Sequence, residues 1–402
     1  MLLRDHARDI TQDALSLRRE SAERILADIR HLAPSIKARA AEFEGARRIP
    51  VDLIDMLRDL GVFRMLVPSS HGGMELDLPT GIEIITALAR IDGSFGWTAM
   101  IGAGAALFAS NLPRETFETI HRNGPDVTVA GAAAPLGKAE IVAGGWRVSG
   151  RWPFASGCLH ADWMLGVCVM MEDGKPIPGS ADEQGPPMMR GFFLPKSEWK
   201  IENTWHVAGL KGTGSHHIAM HERVVPEANF FDFMEGDPCV PGPLYQAPMQ
   251  LLPLFHGAFD VGMAEAALDE LVEMANSGRQ QLRAVVPMRE SEVFQYELGR
   301  VGADVRAVHA AHRAQVTEQW QHALSGTLRD EARFVESQQT AVWVAGACAR
   351  AINDCFALGG GSVIYDVSPL QRRMRDMQVA AQHAMVQQRN YVAAGKRLLG
   401  GA

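Results

Sequence analysis

Apolar residues recur every three or four positions toward both ends of the chain, which predicts amphipathic helices there. Before residue 126 this spacing covers 17–43, 51–60, 80–91 and 95–109. It returns over 251–277, 286–324 and 328–358, and a last helix is predicted over 369–399. The middle of the chain instead alternates apolar and polar side chains in short runs such as 145–150 and 217–225, as half-buried strands do.

The order of these patterns predicts an α+β fold. We expect an N-terminal helical domain over 1–126, a β-domain over 127–235 and a C-terminal four-helix bundle over 236–402. Because Gly, Pro and Asp separate the short strand runs, the β-domain is predicted to be an antiparallel barrel or sandwich.

Composition and charge narrow the classes of function. The chain has 402 residues, and its net charge of −8 argues against a nucleic-acid partner, which needs a basic face. The longest apolar run, 97–109, is shorter than the ~20 residues of a membrane-spanning helix. Five cysteines without Cys-x-x-Cys spacing favour a reduced, cytoplasmic setting. No metal site is predicted, since His217 and His221 would lie ~13 Å apart on a strand.

Three stretches carry a resemblance to a known family. GWRVSGRWPFASG at 145–157 resembles the flavin-binding strand of the acyl-CoA dehydrogenase superfamily, and NTWHVAGLKGTGS at 203–215 resembles its glycine-rich loop. MRDMQVAAQHA at 374–384 resembles the closing segment of the same superfamily. These motifs occur in the family's order and span most of the chain. The resemblance implies an acyl-CoA dehydrogenase-like fold and a flavin site, and it suggests a homotetramer.

The resemblance also assigns residues to the flavin. Phe154 falls on the aromatic residue that packs against the flavin, and Ser156 falls on the residue whose hydroxyl meets the flavin ring. Ala133 lies in a loop that bounds the cofactor. Arg279 falls on an arginine that binds the flavin phosphates of a neighbouring subunit in the family. FMN is slightly favoured over FAD.

The closing segment departs from the family at its catalytic base. Acyl-CoA dehydrogenases carry a Tyr-Glu-Gly there, and the Glu removes an α-proton from an acyl thioester. In this chain Ala384 takes the position of the Glu and His383 that of the Tyr. An alanine cannot abstract a proton, whereas a histidine can act as an acid or a base near neutral pH. His383 and Ser156 are therefore the predicted catalytic residues.

Together these features resemble the oxygenase components of two-component (group D) flavin-dependent monooxygenases. That branch includes p-hydroxyphenylacetate hydroxylase, seco-steroid hydroxylase and dibenzothiophene monooxygenase. The resemblance implies that a separate NAD(P)H:flavin reductase supplies reduced flavin. It also implies that O₂ adds to the flavin as a C(4a)-hydroperoxide, which oxygenates an aromatic or heterocyclic small molecule. The predicted substrate pocket is apolar and consists of Trp97, Met100, His256, Phe259 and Asp260.

Two other functions stay open on the sequence. The chain could be an acyl-CoA dehydrogenase or oxidase whose base lies elsewhere, although residues 248–255, where some family members carry it, contain no carboxylate. It could also be a flavin-free binding protein that keeps the fold without the chemistry. Substrate identity is not predicted.

Overall fold

The helices and strands follow the predicted order. The computed structural model describes residues 2–179, 185–233 and 236–400, with side chains from residue 16 onward. The helices are α1 Leu2–Lys37, α2 Ala40–Ala46, α3 Val51–Leu60, α4 Leu78–Ile91, α5 Gly93–Gly104, α6 Arg114–Ile120, α7 Pro248–Asn276, α8 Glu292–Ser325, α9 Glu331–Gly359, α10 Pro369–Ala380 and α11 Tyr391–Leu398. The strands are β1 Val129–Val142, β2 Gly145–Ala155, β3 Trp163–Glu172, β4 Lys175–Pro176, β5 Met189–Pro195, β6 Lys200–Glu202, β7 His216–Val225 and β8 Phe230–Asp232.

The described strands form one sheet in the order β6-β7-β2-β1-β3-β5-β8, with β4 paired to β3. The α+β class is confirmed, but the prediction of a purely antiparallel β-domain is wrong for one pair. β1 runs parallel to β3, and their register shifts between Ala132 and Gly137. The parallel pair is possible because β1 and β3 are not joined by a tight turn: β2 lies between them in the chain and pairs on the other side of β1.

Helices α4, α5 and α7 pack against one another, and α5 also contacts β1. The side chain of Asp92 caps α5 by accepting the backbone N–H of Phe95, and most residues of α5 are buried. Gly96 of α5 lies so close to α4 that a Cβ would be 2.5 Å from the Cα of Ala89. Arg373 of α10 donates to Glu270 of α7 at 2.8 Å and to carbonyls at the end of α4. The last long helices are thus fixed to the N-terminal ones.

The prediction of one continuous helix over 369–399 is wrong. α10 ends at Ala380, and Ala384–Val386 forms a short 3-10 turn before α11. Two local hydrogen bonds favour this break over a continued helix: His383 accepts the backbone N–H of Met385, and Asn390 donates to the carbonyl of Ala384. His383 and Ala384 therefore lie on a turn. The predicted helix over 95–109 also ends early, at Gly104, and continues as a 3-10 segment.

One helical stretch, Glu331–Ile364, is long and apolar enough to span a bilayer by length and composition alone. Its helix α9 packs against α7, α8 and α10, so the bundle accounts for its apolar face. The predicted domain boundaries fall in the segments between α6 and β1 and between β8 and α7.

Candidate active site

Ser156 lies at the junction of the sheet and the helices. β2 ends at Ala155, which is in register with His216 of β7, and the backbone N–H of Gly157 donates to the carbonyl of Thr213 at 2.9 Å. These contacts place the buried Ser156 hydroxyl 2.7 Å from the hydroxyl of Ser215. The indole N–H of Trp97, on α5, donates to the Ser156 oxygen at 3.0 Å.

The loop that carries Thr213 and Ser215 is held firmly by the helices. The backbone N–H of Leu210 donates to the Asp376 carboxylate at 2.6 Å, and that of Gly212 donates to the Ser94 hydroxyl at 3.1 Å. A Cβ on Gly209 would be 2.2 Å from the carbonyl oxygen of Arg375, so only glycine allows the loop to lie this close to α10.

Phe154 combines exposure with an unusual backbone conformation. Its side chain is 67% exposed, and its φ of +67° is uncommon for any residue other than glycine. Its ring meets the edge of Trp205, with ring centroids 6.3 Å apart. An exposed aromatic ring held in a strained conformation gains nothing for the folded monomer, which is a common mark of a ligand contact.

Four rings meet behind Ser156. Trp97 makes edge contacts with His256, Phe259 and His383 at centroid distances of 5.4, 5.0 and 5.6 Å. His256 and His383 lie 5.3 Å apart. The structure thus brings together residues that the sequence places far apart, on α5, on α7 and on the turn after α10.

Asp260 contacts His256 of this cluster. It is fully buried, and its carboxylate is 2.9 Å from Nδ1 of His256. Burial lowers the pKa of His256, but the charge and the hydrogen bond of Asp260 outweigh it, and the pKa is raised overall. Burial raises the pKa of Asp260. Both shifts favour a proton on the pair, held in the hydrogen bond between His256 Nδ1 and the Asp260 carboxylate.

His383 is oriented by its neighbours and is neutral. Its backbone N–H and Nε2 of His256 both lie within hydrogen-bond distance of the Ala380 carbonyl, at 3.0 and 3.3 Å. Burial, and then the charge of His256, lower the pKa of His383. The side chain is nevertheless exposed to solvent, and water opposes part of this shift. Nδ1 accepts from Met385 N–H at 3.4 Å, which favours the tautomer with the proton on Nε2.

The other predicted residues lie in different surroundings. Ala133 is exposed on the bulge of β1, next to Leu136, which is also exposed. Met100 and Phe259 are buried, and Phe259 has no exposed surface. Arg279 follows α7, and its Nε atom is buried without a hydrogen-bond partner in the described structure. The pocket and cofactor roles of these residues stay predictions.

The sequence reasoning did not single out Ser215 and Thr213. Both are buried and hydrogen-bonded around Ser156. The motif at 203–215 contains them, but only the pairing of β2 with β7 reveals their contact with Ser156. A separate cavity of about 680 Å³ lies between α1, α4, α7 and α8 and includes none of the predicted site residues.

Three residues carry groups that suit the parts of a flavin: Phe154 and Ser156 at the end of β2, and Arg279 beyond the end of α7. Ser156 has an unused lone pair, Phe154 offers an exposed aromatic face, and the Arg279 guanidinium has an unpartnered N–H suited to a phosphate. Ser156 and Phe154 suit the polar edge and the flat face of the flavin ring, and Arg279 suits the phosphates of a flavin nucleotide.

Several known proteins are similar to this chain over most of its length. The family models for the acyl-CoA dehydrogenase N-terminal and C-terminal domains match residues 19–113 and 254–388. An indole-3-acetate monooxygenase of Pseudomonas putida is 34% identical over 368 residues, with 90% of each chain covered. The flavin-dependent monooxygenase oxygenase subunit HsaA of Mycobacterium tuberculosis is 26% identical, with 96% of this chain and 98% of HsaA covered. The structure of XiaF from Streptomyces, in complex with FADH2 and glycerol, shares the fold at a TM-score of 0.88 and 24% identity, with 98% of both chains covered.

The chain belongs to the acyl-CoA dehydrogenase superfamily, in its branch of flavin-dependent monooxygenases. It is an oxidoreductase, and the relatives favour the oxygenase interpretation over an acyl-CoA dehydrogenase with a displaced base.

Proposed function

We propose that this chain is an oxygenase component that takes reduced flavin from a separate NAD(P)H:flavin reductase and hydroxylates an aromatic or heterocyclic small molecule. The observation that carries the proposal is the position of a neutral, partly exposed His383 beside Ala384, 5.6 Å from the ring of Trp97 that holds Ser156. Reduced flavin supplies two electrons, so that one oxygen atom of O₂ enters the product and the other is released as water.

Phe154 and Ser156 hold the flavin in this proposal, and Arg279 binds the phosphates of the flavin in a neighbouring subunit. Phe154 packs against the ring, and the energy of that contact offsets the strain of its backbone. Ser156 meets the ring through its hydroxyl, and Arg279 binds phosphate oxygens. Trp97 and Phe259 exclude water from one side, because their rings fill the space behind Ser156.

His383 acts as a neutral hydrogen-bond donor. Its lowered pKa disfavours the imidazolium form, so it is not a cationic acid at pH 7. Because Nδ1 is engaged by Met385, the ring offers its Nε2–H to an oxygen atom of the substrate or of the oxygen being transferred. Ala384 leaves space beside it where a dehydrogenase has a carboxylate.

The substrate class rests on the shape and polarity of the region. The exposed bulge of β1 carries Ala133 and Leu136, and the buried ring of Trp97 lies beside the exposed His383. Such apolar surfaces favour a flat aromatic or heterocyclic molecule. The names of the relatives agree, since they include an indole-3-acetate monooxygenase and a resorcinol hydroxylase.

The experiment supplies reduced FMN or FAD through a reductase and NADH, under ¹⁸O₂, with a panel of indoles and phenols. A product carrying one labelled oxygen supports the proposal. Bleaching of bound oxidised flavin by an acyl-CoA, without a reductase, would overturn it in favour of a dehydrogenase. His383→Ala should lose product while it retains reduced-flavin binding, and His221→Ala, an exposed histidine of β7, serves as the matched control.

The assembly and location are part of the same proposal. We propose a homotetramer in which a second copy covers the loop that follows Arg279, since Leu282 and Val285 there are 95% and 93% exposed. A cytoplasmic location fits the five cysteines, all of which are free thiols. Sedimentation and cell fractionation test these two points separately.

A further inference from the structure

The hydroxyl groups around Ser156 form a chain with two defined ends. At one end the indole N–H of Trp97, which can only donate, points to the Ser156 oxygen at 3.0 Å. At the other end Thr213 Oγ1 lies 2.8 Å from the carbonyl oxygen of Leu210, which can only accept. Between them, Ser156 Oγ is 2.7 Å from Ser215 Oγ, which is 2.7 Å from Thr213 Oγ1.

Counting protons fixes the direction of this chain. Ser156, Ser215 and Thr213 have one hydroxyl proton each, and three hydrogen bonds need them. Thr213 Oγ1 and the Leu210 carbonyl oxygen are 2.8 Å apart, and two oxygens this close repel unless a proton lies between them. Thr213 therefore gives its proton to the carbonyl, so Ser215 must give its own to Thr213. Ser156 must then donate to Ser215. Only this arrangement satisfies every bond.

Ser156 is consequently left without a proton to offer. One lone pair accepts from Trp97, the proton goes to Ser215, and the remaining lone pair has no partner among the described residues. Toward a ligand, the Ser156 oxygen is an acceptor only. The site lies among buried side chains, where an unmatched polar contact is costly.

We propose that Thr213 and Ser215 are positioning residues that make Ser156 an obligate acceptor, so that the site selects reduced flavin over oxidised flavin. This inference rests on the proposed function, in which the Ser156 hydroxyl meets the flavin ring, and it takes N(5) as the ring atom that Ser156 contacts. Reduced flavin carries a hydrogen on N(5) and can donate it to Ser156. Oxidised flavin has only a lone pair there, and two lone pairs repel each other.

Breaking the chain at Thr213 releases the constraint. In Thr213→Val, Ser215 no longer has to donate to Thr213 and can donate to Ser156, which frees the Ser156 proton for N(5) of oxidised flavin. The Leu210 carbonyl is not stranded, because it still accepts from Thr213 N–H at 3.1 Å and from the indole N–H of Trp205 at 3.0 Å. Valine also has nearly the shape of threonine, so the fold should tolerate it.

The experiment measures anaerobic dissociation constants of reduced and oxidised FMN and FAD. The natural chain should bind the reduced form at least ~10-fold more tightly, because the reduced form makes a hydrogen bond to Ser156 that the oxidised form cannot make. Thr213→Val should reduce that preference roughly tenfold, mainly through tighter binding of oxidised flavin. The midpoint potential of bound flavin should fall by ~30 mV for each tenfold loss of preference. Thr213→Ser keeps the hydroxyl and should restore both values.

Ser215→Ala is the second variant, and it frees the Ser156 proton directly. It should shift the preference in the same direction, which keeps the test valid if Thr213→Val fails to fold. An unchanged preference in a folded Thr213→Val and in Ser215→Ala would overturn the inference and leave the proposed function intact. Failure of the natural chain to bind either redox form would instead overturn the proposed function.

Discussion

The Asp260–His256 pair should control the protonation of His383, and replacing Asp260 by Asn tests this. The substitution preserves the shape of a fully buried side chain and removes its charge. Burial has the largest single effect on the pKa of His256, and it lowers that pKa. Without the carboxylate, His256 should therefore become neutral at pH 7.

The size of the effect follows from the geometry. The rings of His256 and His383 are 5.3 Å apart, and two unit charges at that distance repel by about 3 kcal/mol at an effective dielectric of ~20. His383 keeps an exposed edge, so water reduces this to about half. Losing the charge on His256 should thus raise the titration midpoint of His383, but Asp260→Asn also removes the opposite charge of Asp260, so the net rise should be about one pH unit or less. Burial, the larger cause, remains and keeps the midpoint below that of a free histidine.

The assay is an NMR titration of selectively labelled histidine, with His383→Ala to assign the resonance. The acid limb of the hydroxylation profile should move to higher pH in Asp260→Asn, because His383 then loses its neutral form earlier as pH falls. Asp269→Asn is the control, since Asp269 is exposed on the same helix more than two turns away. A His383 midpoint that is the same in Asp260→Asn and in the natural chain would refute the electrostatic argument.

Three further predictions follow from burial and strain. Phe154→Asn should leave the free energy of unfolding unchanged or raise it by about 1 kcal/mol, because Asn tolerates a φ of +67°. The same substitution should lower flavin affinity. Chemical unfolding measures the first effect and flavin titration the second. Burial lowers the pKa of His312 to about 4. As pH falls below 6.5, His312 is therefore protonated in the unfolded state before it is protonated in the folded state. The free energy of unfolding should fall by up to about 3 kcal/mol by pH 4. His312→Gln should flatten that part of the pH–stability curve. Burial, and then the charge of Asp92, raise the pKa of Asp376 to about 7. Between pH 3.8 and 7 the folded state therefore holds a proton that the unfolded state has released. The free energy of unfolding falls as pH rises through this range. Asp376→Asn should therefore raise the melting temperature more at pH 8 than at pH 5, and an equal change at both would contradict the assignment.

Much of the architecture was predictable because it depends on local spacing. The apolar periodicity of 251–277 closely matches α7, Pro248–Asn276, and the alternation at 217–225 closely matches β7, His216–Val225. The motif at 145–157 led to Phe154 and Ser156, and the absent carboxylate at Ala384 led to the oxygenase branch. The helix predicted through 369–399 failed because capping contacts of His383 and Asn390 interrupt it, and such contacts leave no periodic trace.

The sequence by itself determined the order of helices and strands, the family and the chemistry that the chain lacks at Ala384. Only the tertiary structure decided how the candidate residues act. The sequence contains Trp97, Ser156 and Thr213 as separate residues, but their contacts fix which way each proton points. In the same way, the surroundings of His383 and the nearby His256–Asp260 pair lower its pKa, which favours its neutral form further. Proton direction and pKa depend on distances between residues remote in the chain, and those distances exist only after folding.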